Sequence, residues 1–160
     1  MLSFNVRLIM DKVLLEHFMR EAIAEAKVAY DSDEIPVGCV IVHDNKIVAR
    51  ASNSVEFDKD PTMHAEIKAI KEACKNLGGW RLPHCQMFVT VEPCAMCAGA
   101  IVLSRIEELY IGTPDTKMGA CGSVNNIVED QRLNHQVKVT YGILQEECSE
   151  LMKSFFHKLR

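Results

Sequence analysis

The chain has 160 residues, 48% of them hydrophobic and 25% charged, with a formal net charge of −4. That length fits about one domain with its own core, and the composition excludes a disordered chain. The acidic balance argues against a protein that coats polyanions non-specifically, although the last ten residues, LMKSFFHKLR, carry Lys153, Lys158 and Arg160 with no acid among them.

The opening MLSFNVRLIM has one arginine, a broken apolar stretch and no small-residue cleavage site, so it does not read as a signal peptide. Residues 1–9 are expected to be a loose extension from an upstream start codon, and residues 10–160 a single domain. From Asp11 to about Tyr30, Leu14, Phe18, Ala22, Ala26 and Ala29 recur at helical spacing with charges on the other face, which predicts an amphipathic helix. PVGCVIV (36–42) and KIVARAS (46–52) read as strands, joined by a tight hairpin turn at HDN. NSVEFDKDPT (53–62) reads as a loop, and His64 to Asn76 as a helix closed by Gly78-Gly79. QMFVTV (86–91) is a third strand, after which Pro93 opens a helix to about Ser104. IEELYIG (106–112) is a fourth strand, followed by the long loop TPDTKMGACGSVNN, the strand QVKVTYGI (136–143) and a closing helix from Gln145 to Leu159. Strands interleaved with helices make one α/β domain, a mixed sheet covered by helices. The longest apolar runs, such as VGCVIV, fall far short of the ~18 residues of a membrane span, so no membrane association is expected.

Seven cysteines, at 39, 74, 85, 94, 97, 121 and 148, are an odd number without a secretory signal. A disulfide framework is not expected, and a reducing cytoplasm fits. Cys39 and Cys74 fall on strand and helix patterns and are expected in the core, whereas Cys121 is the candidate stray reactive thiol. Cys94 and Cys97 differ by their spacing. In VEPCAMC they sit one turn apart at a helix start, where unpaired N–H groups favour thiolate. Two readings fit. A strand running into CxxC at a helix start is also the thioredoxin-like redox arrangement. Alternatively, two thiolates and one histidine make a three-ligand zinc site with an open position. Spacing alone leaves both open.

PTMHAEI (61–67) supplies the histidine. His64 also begins a helix, and two helix starts at one edge of a sheet can meet. Glu66, two residues on, does not share a face with His64. It need not be a ligand; it can handle protons for a water activated by the metal. The bland alternative is a half-exposed histidine and a solvated glutamate in a first turn.

HAE followed by PCAMC resembles the H-x-E…P-C-x-x-C signature of the zinc-dependent nucleoside and nucleobase deaminases. EIPVGCVIV, DPTMHAEIKAI, WRLPHCQMFVTVEPCAMCAGAIVLSRI, DTKMGACGS, NHQV and FFHKLR, together spanning about residues 13–160, are similar to the bacterial tRNA-specific adenosine deaminase family. The resemblance implies a cytidine-deaminase-like αβα sandwich, a five-stranded mixed sheet covered on both faces, with its fifth strand parallel to the fourth. It implies conversion of adenosine to inosine at the wobble position of a tRNA anticodon, in the cytoplasm, by a homodimer that binds the anticodon stem-loop near its subunit interface. It implies one Zn2+ per subunit on His64, Cys94 and Cys97 and no other cofactor, with Glu66 moving protons. It places Asn53 against the adenine, Ile35 and the backbone of Ala65 on the pocket wall, Asp115 at the RNA backbone, and Phe155 and Phe156 beside the anticodon. Met63 departs from the smaller residue, often alanine, expected before the histidine.

Read alone, Asn53 is an ordinary strand-end residue, and Asp115 and Lys117 are ordinary loop charges. Phe155 and Phe156 cannot both point inward on a regular helix; one is expected in the core. His17, His43, His84, His135 and His157 read as surface or loop residues. Three rival functions remain: a free-base or nucleoside deaminase for guanine or cytosine compounds, a thiol–disulfide oxidoreductase using Cys94 and Cys97, and a noncatalytic zinc-containing RNA-binding subunit. The last two have no use for Glu66.

Overall fold

The structure, a computed structural model, describes residues 4–160, with side chains from Asp11 onward. Helix α1 (Phe4–Asp31) leads into strands β1 (Gly38–His43) and β2 (Lys46–Ser52). The short helix α2 (Val55–Asp58) and helix α3 (Ala65–Leu77) follow, then β3 (Cys85–Val91), α4 (Ala95–Leu103), β4 (Glu108–Thr113), β5 (Lys138–Tyr141) and α5 (Gln145–Lys158). The extension expected over residues 1–9 lies partly outside the described residues, and α1 is already under way at Phe4. The expected loop at 53–62 contains the one-turn helix α2.

The sheet order is β2-β1-β3-β4-β5. β1 is antiparallel to both neighbours, whereas β3, β4 and β5 run parallel, as the resemblance implied for the fifth strand. The hairpin closes at Asp44 (φ 49°) and Asn45 (φ 58°), two left-handed residues that give the turn the twist of its strands.

Alternation along the central strands divides the core. Cys39 and Ile41 of β1 and Met87 and Val89 of β3 face Ala65, Ala69 and Ala73 of α3 and Ala98 and Ile101 of α4. Val40, Val42 and Phe88 face Phe18, Met19, Ala22 and Ile23 of α1, with Cys148 of α5. Two helices thus cover each face. α1 lies so close to β1 that a Cβ on Gly38 would fall 2.0 Å from the Ala22 carbonyl oxygen. The parallel strands β3 and β4 end toward the N-terminus of α4 and the loop after Thr113, the position where α/β sheets place their ligands.

Candidate active site

His64 and Cys94 are the N-caps of α3 and α4, both in extended backbone, and neither side chain makes a capping hydrogen bond. A capping side chain usually turns back onto the first free N–H groups. These two turn toward each other. Cys94 Sγ lies 3.6 Å from His64 Nδ1, and Cys97 Sγ lies 3.5 Å from the same nitrogen. Their ligand atoms all fall within 4.8 Å of one another, the one such His/Cys/Asp/Glu group found among the described residues. The packing of α3 and α4 on one sheet face therefore brings the three residues together.

The cluster is electrostatically biased. The Cys97 thiol donates to Cys94 and, with His64, holds Cys94 down to about 4. Cys97 retains the shared proton and is pushed far up, and its burial adds to the rise. His64 is raised, chiefly by its bond to Cys94. Glu66, in the first turn of α3 and 3% exposed, has its carboxyl pushed up to about 7 by burial. Its Oε2 is buried and has no hydrogen-bond partner among the described residues. A buried polar atom without a partner carries its full desolvation cost, so it suits a group brought in by a ligand. Together with two thiols and an imidazole, this is a donor set that fits zinc with an adjacent proton carrier.

Of the other expected site residues, the structure brings Asn53 and Ile35 together. The Asn53 side-chain amide donates to the Ile35 carbonyl at 3.3 Å, and its backbone N–H bonds Val37 O at 3.1 Å. Ile35 is exposed, and Ala65 is buried beside Glu66 on α3. Asp115 turns its Oδ1 onto the Lys117 and Met118 N–H groups, shaping the start of the long loop. Phe155 and Phe156 lie on α5, which covers the sheet face opposite α3 and α4, so this chain does not fold them onto the cluster. Phe155 is 3% exposed and packs edge-on against Tyr30, whereas Phe156 is 43% exposed.

Cys121, expected to be a reactive stray, is instead 1% exposed, with its thiol on Pro93 O and its acidity suppressed by burial. Cys39 is buried as expected, and Cys74 only half so. His43 is a half-buried strand end rather than a surface residue, its Nδ1 3.7 Å from Cys85 Sγ.

Two buried carboxylates escaped the sequence reading. Glu92 accepts the N–H groups of Asp115, Cys121 and Ser123 and the Ser123 hydroxyl. Burial would raise its pKa, but these bonds outweigh burial and lower it. Glu34 accepts the Glu56 and Phe57 N–H groups at the start of α2, holding the segment that follows Asn53. The available signal was an acid at the edge of an apolar run, in EIPVG and in TVEPC; the partners lie 22 to 31 residues away.

A family model described as MafB19-like deaminase matches residues 15–160. The tRNA-specific adenosine deaminase of Bacillus subtilis (strain 168) is 47% identical over 145 residues, covering 91% of this chain and 90% of that protein. That of Aquifex aeolicus (strain VF5) is 50% identical, covering 91% and 95%. A structure from work on A-to-I editing by tRNA:A34 deaminases at the wobble position of transfer RNA superposes with a TM-score of 0.81 at 41% identity. It covers 84% of this chain and 98% of its own.

Proposed function

The chain belongs to the tRNA-specific adenosine deaminases, within the MafB19-like deaminase family, and from that premise we infer that it hydrolyses adenosine to inosine at the wobble position of a tRNA anticodon. The observation that carries the chemistry is the convergence of His64, Cys94 and Cys97 beside the unpartnered Glu66 carboxylate oxygen.

His64, Cys94 and Cys97 would hold one Zn2+ per subunit, three protein ligands leaving a position open as catalytic zinc requires. Zinc held there supplies an acidified water, with a pKa brought from ~15.7 to about 7. Glu66 takes a proton from the attacking water and passes it to the purine N1, then takes the remaining proton of the hydroxyl now on C6 and passes it to the departing ammonia. A bond from C6 to oxygen forms, the bond from C6 to the amino nitrogen breaks, and adenosine plus water becomes inosine plus ammonia. Burial raises the Glu66 carboxyl, which favours its taking up the proton that it then passes on.

Asn53 spends one amide hydrogen on Ile35 O, which leaves its Oδ1 and its other hydrogen for the adenine. Ile35 and the backbone of Ala65 line the pocket. Asp115 and Phe156 meet the RNA, with Phe155 as the packed support under Phe156. An unpaired anticodon loop suits an acidic enzyme, because recognition there uses stacking and base edges as well as phosphate charge. In this reading the enzyme acts as a homodimer with no other cofactor, in the cytoplasm, a reducing compartment with which free cysteines are compatible. No helix among the described residues is long and apolar enough to cross a membrane.

The test is an anticodon stem-loop with adenosine at the wobble position, run beside free adenosine and guanine, with Glu66→Ala as control. Inosine in the stem-loop only, absent with the variant, is the expected result. Product from a free base and none from RNA would overturn the substrate.

A further inference from the structure

β2 is an edge strand, so alternate backbone groups along its outer side have no strand partner. Three of them are met by side chains from one stripe of α3. The Lys68 ammonium donates to Ser52 O at 2.9 Å, Glu72 Oε2 accepts the Arg50 N–H at 3.4 Å, and the Asn76 amide donates to Val48 O at 2.8 Å. The steps match: four residues of helix rise about 6 Å and two residues of strand about 6.7 Å. The helix is thereby stitched to the strand in one register, and the edge is closed to other strands.

The rung nearest the active site does more than close an edge. Lys68 Nζ also donates to Ser54 Oγ at 2.7 Å, so one ammonium grips the residues on both sides of Asn53. Its own backbone N–H bonds His64 O at 3.1 Å, one turn along the helix that carries His64 and Glu66. Ser54 is held further by its hydroxyl on Asp58 Oδ2 at 2.6 Å and its N–H on Met63 O at 3.1 Å. Lys68 is half-buried, which strengthens its bonds relative to a fully solvated ammonium.

We propose that Lys68 is a positioning residue for adenosine recognition, fixing Asn53 at a set distance from Glu66 and His64. This rests on the reading that Asn53 meets the adenine. The lysine touches no substrate. It works through the peptide on either side of Asn53, and a small misplacement of a binding group costs rate out of proportion to the shift.

The experiment uses the full chain loaded with zinc, the wobble-adenosine stem-loop, and a cycle of Lys68→Met, Asn53→Ala and the double variant. Lys68→Met keeps the stem and removes the donors. It should lower kcat/KM about tenfold with zinc content unchanged, and Lys68→Arg, which keeps donors, should recover most of the loss. In the Asn53→Ala background, Lys68→Met should cost nothing further, because the group it positions is gone. Equal losses in both backgrounds would mean a general structural role and overturn the proposal, as would no loss in either. If Asn53→Ala alone leaves kcat/KM unchanged, the reading of Asn53 falls and takes the proposal with it. A readout independent of substrate separates these from failure of the RNA assignment: the Asn53 and Ser54 amides should exchange hydrogen faster in Lys68→Met. Unchanged exchange would overturn the clamp whatever the substrate proves to be.

Discussion

Glu92 Oε1 accepts the Asp115 backbone N–H at 3.1 Å, which ties the strand end that delivers Cys94 to the loop expected against RNA. The other oxygen, Oε2, accepts Cys121 and Ser123 N–H groups at 3.0 and 3.1 Å. The loop passes so close that a Cβ on Gly119 would lie 2.3 Å from Oε2. The carboxylate is thus the hub on which the loop is wound.

Glu92→Ala should therefore destabilise the fold by about 2–4 kcal/mol in urea unfolding, since it strands one buried donor and three part-buried ones at once. The pH dependence has a definite sign. The folded pKa lies below the ordinary 4.5, so the stabilisation is present above that value and lost as pH falls through the lower folded value. The stability gap between wild type and Glu92→Gln should be constant near neutrality and shrink below about pH 4.5. A gap that widened in acid would contradict the hydrogen-bond account.

Glu66→Gln should retain the metal and lose activity by roughly 10²–10⁴-fold, the range of a lost general acid–base. Loss of zinc, measured by metal analysis, would instead make Glu66 a ligand. In chelator-treated protein the raised carboxyl runs the opposite way to Glu92. The fold holds this proton more tightly than the unfolded chain, so stability falls as pH rises from about 4.5 through about 7. Gln never ionises. The treated variant should match wild type in acid and exceed it by up to ~3 kcal/mol at pH 8.

Chelation should also unmask the cysteines in order. With Cys94 held down to about 4 and Cys97 pushed up, iodoacetamide at neutral pH should label Cys94 first. Cys39, Cys85, Cys121 and Cys148 are buried and should label only on unfolding. Peptide mass spectrometry reads the order; labelling of Cys97 ahead of Cys94 would contradict it, and labelling of both before chelation would favour redox chemistry over metal binding.

The neighbouring phenylalanines of α5 should separate cleanly. Phe155→Ala removes a core ring packed on Tyr30 and should cost about 3–5 kcal/mol of stability. Phe156→Ala should leave stability within about 0.5 kcal/mol and raise KM for the stem-loop, as expected for an exposed aromatic that stacks on a base. An unchanged KM would remove Phe156 from the RNA surface.

Residues 1–9 should be dispensable. Among the described side chains of α1, those that enter the core begin with Leu15 and Phe18, and deletion of residues 1–9 should leave melting temperature and stem-loop activity unchanged. A drop in either would assign the segment a role.

Local pattern carried much of this protein. The strands at β1, β2 and β3 and the helices α3 and α4 were legible because alternation and 3.6-residue periodicity are properties of neighbouring residues. The CxxC pair was legible for the same reason: one helical turn puts Cys94 and Cys97 on one face wherever the helix goes. The two misread helix starts are instructive. The sequence pattern puts His64 and Cys94 at or inside the first helical turn, but both are caps in extended backbone, and that geometry is what frees their side chains to meet.

By itself, then, the sequence determined the α/β class, the element order, the motif residues and the family resemblance, all written in short spacings. Only the tertiary structure decided the rest. It set the sheet order, and it brought His64 to within 3.6 Å of a thiol 30 residues away. It chose Phe155 over Phe156 for the core and gave Glu92, Glu34 and Lys68 their partners. The reason is physical. Periodicity records which face of an element is buried, whereas a hydrogen bond between distant segments depends on where two packed elements stand to within a fraction of an ångström. That distance is set by the whole core, by close approaches such as Ala22 on Gly38, and no local spacing contains it.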